Sequence, residues 1–134
     1  MNKGTSFVLD ASALLALLRL EKGWEEVDRI IACGDTSVFM SAINYAEVLS
    51  KTVAYGKKFD VVVNEIRVLG IRIMDFDSVQ AEQVGVLKPQ AAAWGLSLGD
   101  CACLTLARHL NATALTADTI WGNLESSFRM MFIR

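Results

Sequence analysis

The chain has 134 residues, 53% of them hydrophobic, and a formal net charge of −2. That length fits a single domain over residues 1–134 with a proper core. No apolar run approaches the ~20 residues of a membrane-spanning helix, and no positive excess advertises nucleic acid.

Thr5 and the residues before it lead into the first apolar run. Ser6 to Asp10 reads as a buried strand that ends in a carboxylate. Ser12 to about Leu20 reads as a helix that is apolar on most faces, and Gly23 breaks it. Ala11 to Leu18 has the apolarity of a signal-peptide core. Asp10 precedes it, however, and Arg19-Leu20-Glu21-Lys22 follows with no small-residue cleavage site, so a cytoplasmic location is expected. Trp24 to Cys33 repeats a helical pattern through Trp24, Val27, Ile30 and Ile31, and stops at Gly34. Thr36 to Met40 is rich in β-formers and reads as a second strand. Ser41 is a good N-cap for a helix from Ala42 to Tyr55. Phe59 to Leu69 is another helix, closed by Gly70, and Ile71 to Met74 a third strand.

Asp77 or Ser78 caps a helix running towards Leu87, which Pro89 is expected to interrupt after Lys88. Gln90 to Trp94 then forms an alanine-rich turn ending at Gly95. Ser97-Leu98-Gly99-Asp100 has the form of a capping box, with a helix to about Leu110. Ala112 to Thr116 is a fourth strand, Ala117 to Leu124 a short helix, and Arg129 to Ile133 a fifth strand. Strands alternating with helices give an α/β layer fold with a mostly parallel sheet. The high hydrophobic share implies apolar surface that an oligomer would cover. The odd set Cys33, Cys101 and Cys103 lacks zinc spacing and is expected as reduced core cysteines.

The acids sit at telling places. Asp10 follows the first strand and Asp118 the fourth; Asp100 opens the helix into the fourth strand. Glu47 shares a helix face with Asn44, three residues before it, and Ser41 begins that helix. Open α/β sheets build their sites at this carboxyl edge. Burying a lone carboxylate is costly unless it is paired or binds a metal. Four mutually repelling carboxylates there suit a hard divalent cation with oxygen ligands, Mg²⁺ or Mn²⁺. Such an ion would reverse the local field whatever the net charge of the chain.

Four blocks carry a resemblance. They are Val8-Leu9-Asp10-Ala11-Ser12, Ser41-Ala42-Ile43-Asn44-Tyr45-Ala46-Glu47-Val48, Leu96 to Ala107 around Asp100, and Ala114-Leu115-Thr116-Ala117-Asp118-Thr119-Ile120-Trp121. In this order and spacing the chain resembles the PIN domain ribonucleases, most nearly the VapC-type toxins of toxin–antitoxin pairs. The segment Gly99-Asp100-Cys101-Ala102-Cys103 departs from the family's alanine-rich neighbours of this acid, which touches helix packing and not the acid. The resemblance implies a three-layer α/β/α domain with strand order 3-2-1-4-5. It implies Asp10, Asp100 and Asp118 as ligands of Mg²⁺ or Mn²⁺, with Glu47 binding a second ion or holding the water. It implies metal-assisted hydrolysis of RNA phosphodiesters, a homodimer, and a cognate antitoxin protein as partner.

Ser12, Ser41, Asn44 and Thr116 are candidates for orienting the carboxylates by hydrogen bonds. Asp75 and Asp77 follow the third strand and are expected in cap chemistry. His109 fits a helix C-terminus. Trp121 is expected to be packed rather than stacked on a base. Lys51, Lys57, Lys58, Arg108 and Arg129 are candidate phosphate contacts, most of them ordinary surface charges. Two other functions compete. A non-catalytic PIN-like RNA-binding or assembly module would tend to lose one or more of the acids, and here all four are present. An aspartate-based phosphotransfer domain would want Asp-x-Asp after the first strand, where this chain has Asp10-Ala11-Ser12.

Overall fold

In a computed structural model the structure describes residues 4–123 and 128–134. The chain order is β1 (Thr5–Leu9), α1 (Ala11–Arg19), α2 (Trp24–Ala32), β2 (Thr36–Ser41), α3 (Ala42–Ala54), α4 (Phe59–Val68), β3 (Arg72–Met74), α5 (Ser78–Ala92), α6 (Leu98–His109), β4 (Thr113–Thr116), a 3₁₀ turn (Thr119–Asn123) and β5 (Met130–Phe132). The sheet runs β3-β2-β1-β4-β5, and every pairing is parallel. This is the three-layer α/β/α architecture with order 3-2-1-4-5.

Alternation along each strand builds the layers, because successive side chains leave opposite faces. Leu9 and Leu115 join Leu14, Val27, Val48, Val62 and Ile66 in the core beneath α1 to α4. Val8 and Ala114 join Val84, Leu87, Leu104 and Trp121 in the core beneath α5 and α6. The inner parts of β1 and β4, Phe7-Val8-Leu9 and Ala114-Leu115, are apolar on both faces, as in central parallel strands. The centre of the sheet is also its switch point: from β1 the chain goes first to β2 on one side, and later to β4 on the other.

Several expectations shift. Asp10 lies just outside β1 and is the N-cap of α1, which starts at Ala11 and not Ser12. Pro89 does not interrupt its helix: α5 continues through it to Ala92, so the expected turn from Gln90 is helical for three more residues. A proline in a helix loses one hydrogen bond and crowds the preceding turn; the packing of Leu87 and Ala91 against α6 outweighs that loss. The helix expected over Ala117–Leu124 is a 3₁₀ turn at Thr119–Asn123, and Leu124 lies outside the described residues. Cys101 and Cys103 are buried, but Cys33 is exposed at the end of α2. Its helix buries Val27 and Ile30, which leaves the last residue facing solvent.

Candidate functional site at the carboxyl edge of the sheet

Asp10 leaves β1 in extended backbone (φ −84°, ψ 178°), and its Oδ1 accepts the Ala13 N–H at 2.9 Å. This satisfies one of the free donors at the start of α1. The side chain is 3% exposed. Ser12 Oγ donates to the carboxylate at 2.7 Å, and Thr116 Oγ1, at the end of β4, donates to Oδ2 at 2.6 Å. Each hydroxyl is itself an acceptor. Ser12 Oγ receives the Ala117 N–H at 2.9 Å, and Thr116 Oγ1 receives the Asp118 N–H at 3.0 Å. Two backbone donors therefore polarise two hydroxyls that both point at Asp10, an arrangement in which each bond strengthens the next.

Burial nevertheless dominates. It pushes the Asp10 carboxyl up to about 6, against the lowering effect of Thr116, Ala13 and Ser12, and the neighbouring charge of Asp100 adds to the rise. A carboxylate has about four lone-pair sites. Three donors leave Asp10 room for one more partner, and a cation would relieve its buried charge.

On α3, Ser41 caps the helix by accepting from the Ile43 N–H at 3.2 Å. Asn44, 1% exposed, gives one amide hydrogen to Glu47 Oε1 at 3.1 Å and one to the Gly99 carbonyl at 3.0 Å. Its Oδ1 is buried without a partner among the described residues. On α6 the capping box is complete: Asp100 N–H donates to Ser97 Oγ at 3.1 Å, and Ser97 N–H to Asp100 Oδ2 at 2.8 Å. Asp118 is exposed, and its Oδ1 accepts the Ile120 N–H at 3.1 Å.

The acids thus share one end of the sheet. Burial pushes the Cys103 thiol well up, and the charges of Asp10, Asp100 and Glu47 add to the rise. Asp118 joins them through its backbone, by way of Thr116. Ser12, Thr116 and Asn44 bond directly to a carboxylate; Ser41 instead serves α3 as a cap. Among the described residues, no three Asp, Glu, His or Cys side chains stand at the spacing of one ion's ligand set. Asp100 Oδ2 and Asp118 Oδ1 each accept a nearby backbone N–H, and each side chain keeps its other oxygen free of those bonds. The acidic groups at this edge offer only oxygen donors, the carboxylates of Asp10, Glu47, Asp100 and Asp118. That chemistry fits a hard divalent cation.

The other candidates lie elsewhere. Asp77 caps α5 through the Gln80 N–H, and His109 is exposed in the last turn of α6. Trp121 is fully buried. Arg108 stacks on Phe128, and Arg129 donates to Asn111, both beside the start of β4 and away from its acidic end. Lys51 and Lys57 line grooves with Arg19 and Tyr55, where α1 and α3 end, again away from the acids. Gly99 is a site residue that sequence reasoning passed over. A Cβ there would overlap Glu47 Oε1 and stand 2.9 Å from its Cδ. The available signal was a glycine in the first turn of a helix, where it weakens the helix relative to alanine.

This arrangement can be set against known proteins. None of the curated proteins matches the chain. Among solved structures, VapBC2 of Rickettsia felis bound to a DNA fragment from its promoter is similar over 96% of this chain and 98% of that one, with 17% identity and a TM-score of 0.72. A sarcin–ricin-loop-cleaving toxin, VapC20 of Mycobacterium tuberculosis, is similar over 92% and 98%, with 17% identity and a TM-score of 0.73. A toxin–antitoxin complex from Klebsiella pneumoniae is similar over 95% and 97%, with 14% identity and a TM-score of 0.68. At these identities the likeness concerns the fold. The PIN domain family model matches residues 7–125, which takes in Asp10, Glu47, Asp100 and Asp118. The chain belongs to the PIN domain family.

Proposed function

We propose that this PIN domain is a metal-dependent endoribonuclease and the toxin of a toxin–antitoxin pair. One observation carries the reading: a buried carboxylate, Asp10, is held by three donors at the switch point of the sheet, with the charge of Asp100 acting on it. A purely structural acid has little reason to sit there at the cost of burial.

Asp10, Asp100, Asp118 and Glu47 would hold Mg²⁺ or Mn²⁺. When bound, the ion lowers the pKa of a water and offsets charge on the phosphate. Thr116 and Ser12 fix the Asp10 carboxylate in place, so it need not reorganise as substrate arrives. The α6 capping box fixes the direction of Asp100. Asn44 holds Glu47 towards α6. No protein nucleophile is needed, and Asp118 and the two residues after it are exposed to solvent.

The sarcin–ricin-loop-cleaving toxin and the toxin–antitoxin complex of the same fold support an RNA substrate and an antitoxin partner. Exposed Val53, Tyr55, Phe59 and Val61 on α3, at its end and on α4 support a protein-covered surface, whether in a homodimer or with the antitoxin. No helix among the described residues is long and apolar enough to cross a membrane.

The test is cleavage of a mixed cellular RNA pool by the purified chain, with Mg²⁺ or Mn²⁺, with EDTA, and with Asp10→Asn in parallel. Cutting that needs the metal and fails in the variant is expected. A folded, Mn²⁺-binding protein that cuts no RNA would overturn it in favour of a non-catalytic RNA-binding or assembly module.

A further inference from the structure

We infer that Gly99 is a positioning residue: with Asn44 it forms the seat on which the Glu47 carboxylate rests against α6. The inference deepens the nuclease reading and rests on it for the metal, though not for the seat itself.

Three observations meet here. Gly99 is buried in the first turn of α6, and its φ is not positive, so backbone conformation does not demand glycine. Glycine also weakens a helix relative to alanine, so the position carries a cost with no local return. The space where a Cβ would stand is filled by the end of the Glu47 side chain, with Cδ at 2.9 Å and Oε2 at 3.2 Å.

Asn44 completes the seat. Its two amide hydrogens go to Glu47 Oε1 and to the carbonyl of Gly99 itself. Both of those partners are pure acceptors, so the amide has one sensible orientation. Asn44 therefore ties the glutamate to the backbone of α6 as well as to its own helix. Glu47 lies on α3 and Asp100 on α6, the residue after Gly99. The seat sets the distance between two acids from different helices, one of which is flexible. A single methyl at position 99 would remove it.

The group displaced by that methyl is the far end of a flexible side chain and not backbone. Gly99→Ala should therefore fold, with Glu47 turned away. Two measurements on the purified chain test this. The first is a thermal double-mutant cycle without metal, using Gly99→Ala, Glu47→Ala and both together. The seat predicts coupling: alanine at 99 raises Tm more when Glu47 is absent than when it is present. Additive Tm changes would overturn the seat.

The second is calorimetric titration with Mn²⁺ alone. Gly99→Ala should weaken binding about tenfold or more, the usual range for a lost orienting contact. It should match Glu47→Ala, and the double variant should bind no more weakly than Glu47→Ala. A Gly99→Ala protein with wild-type Mn²⁺ affinity would overturn the positioning role. Wild-type chain that binds no Mn²⁺ would overturn the metal reading, while the Tm cycle would still decide the seat on its own.

Discussion

Thr116 Oγ1 donates to Asp10 Oδ2 at 2.6 Å, closing a contact between residues 106 positions apart. The same hydroxyl accepts the Asp118 N–H, so one threonine joins the acid after β1 to the backbone of the acid after β4. Thr116→Val keeps the shape and removes both bonds. It should cost about 1–3 kcal/mol, the range for stranding a buried partner, in urea unfolding at pH 7. Unchanged stability would mean that Asp10 is held by Ser12 and Ala13 alone.

Asp10 itself separates charge from capping. Asp10→Asn keeps an oxygen for the Ala13 N–H and sheds the buried charge. Without metal it should be as stable as wild type or more so, and inactive. Asp10→Ala also loses the cap and should fall about 1–2 kcal/mol below Asp10→Asn. Equal unfolding midpoints for the two variants would remove the capping role.

The pH dependence has a definite sign. Folded, Asp10 keeps its proton up to about pH 6; unfolded, it releases it near 3.8. Between those values the folded state binds more protons, so this group adds stability as pH falls. At pH 7 the ionised carboxyl costs about 3 kcal/mol, and that cost fades below pH 6 and is gone by about pH 4. Metal-free wild type should therefore gain on Asp10→Asn as pH drops from 7 to 4. Mn²⁺ affinity should move the opposite way, weakening below pH 6 as protons compete for the carboxylate. A wild-type minus variant stability difference that stays flat with pH would rule out the raised carboxyl.

Pro89 makes a prediction about stability alone. It lies inside α5, exposed, where it cannot donate to the helix. Pro89→Ala should stabilise the chain by about 1–3 kcal/mol, seen as a higher urea midpoint. A loss of stability would show that the ring shapes the end of α5 against α6.

Much of this was legible in the sequence, and the exceptions have physical causes. The strands announced themselves because β1 and β4 carry short apolar cores, Phe7-Val8-Leu9 and Ala114-Leu115, among β-forming residues. Ser41, Asp77 and Ser97 marked helix starts because capping is local chemistry, decided within three residues. Pro89 misled because tertiary packing around Leu87 and Ala91 carries the helix past a residue that local propensity would stop at. Cys33 misled because a helix's last residue can turn outward whatever its type. Gly99 stayed silent because its meaning is the shape of a side chain 52 positions earlier in the sequence, on another helix. The positions of Arg108 and Arg129 depend on which end of β4 they flank, which only the folded sheet decides.

The strand order has a consequence for synthesis. A ribosome delivers β1, with Asp10, before any other strand, and β2 is the first neighbour it can pair with. β4, with Thr116, comes out only after three strands and six helices have been made. Domains tend to fold as units during synthesis, and here one side of the central strand β1 stays open until β4 has been made. An emerging chain thus carries Asp10 without Thr116 until 106 further residues have been added. If the folded domain cuts RNA, a chain that still lacks β4 does not yet hold Asp10 against Thr116 and Asp118.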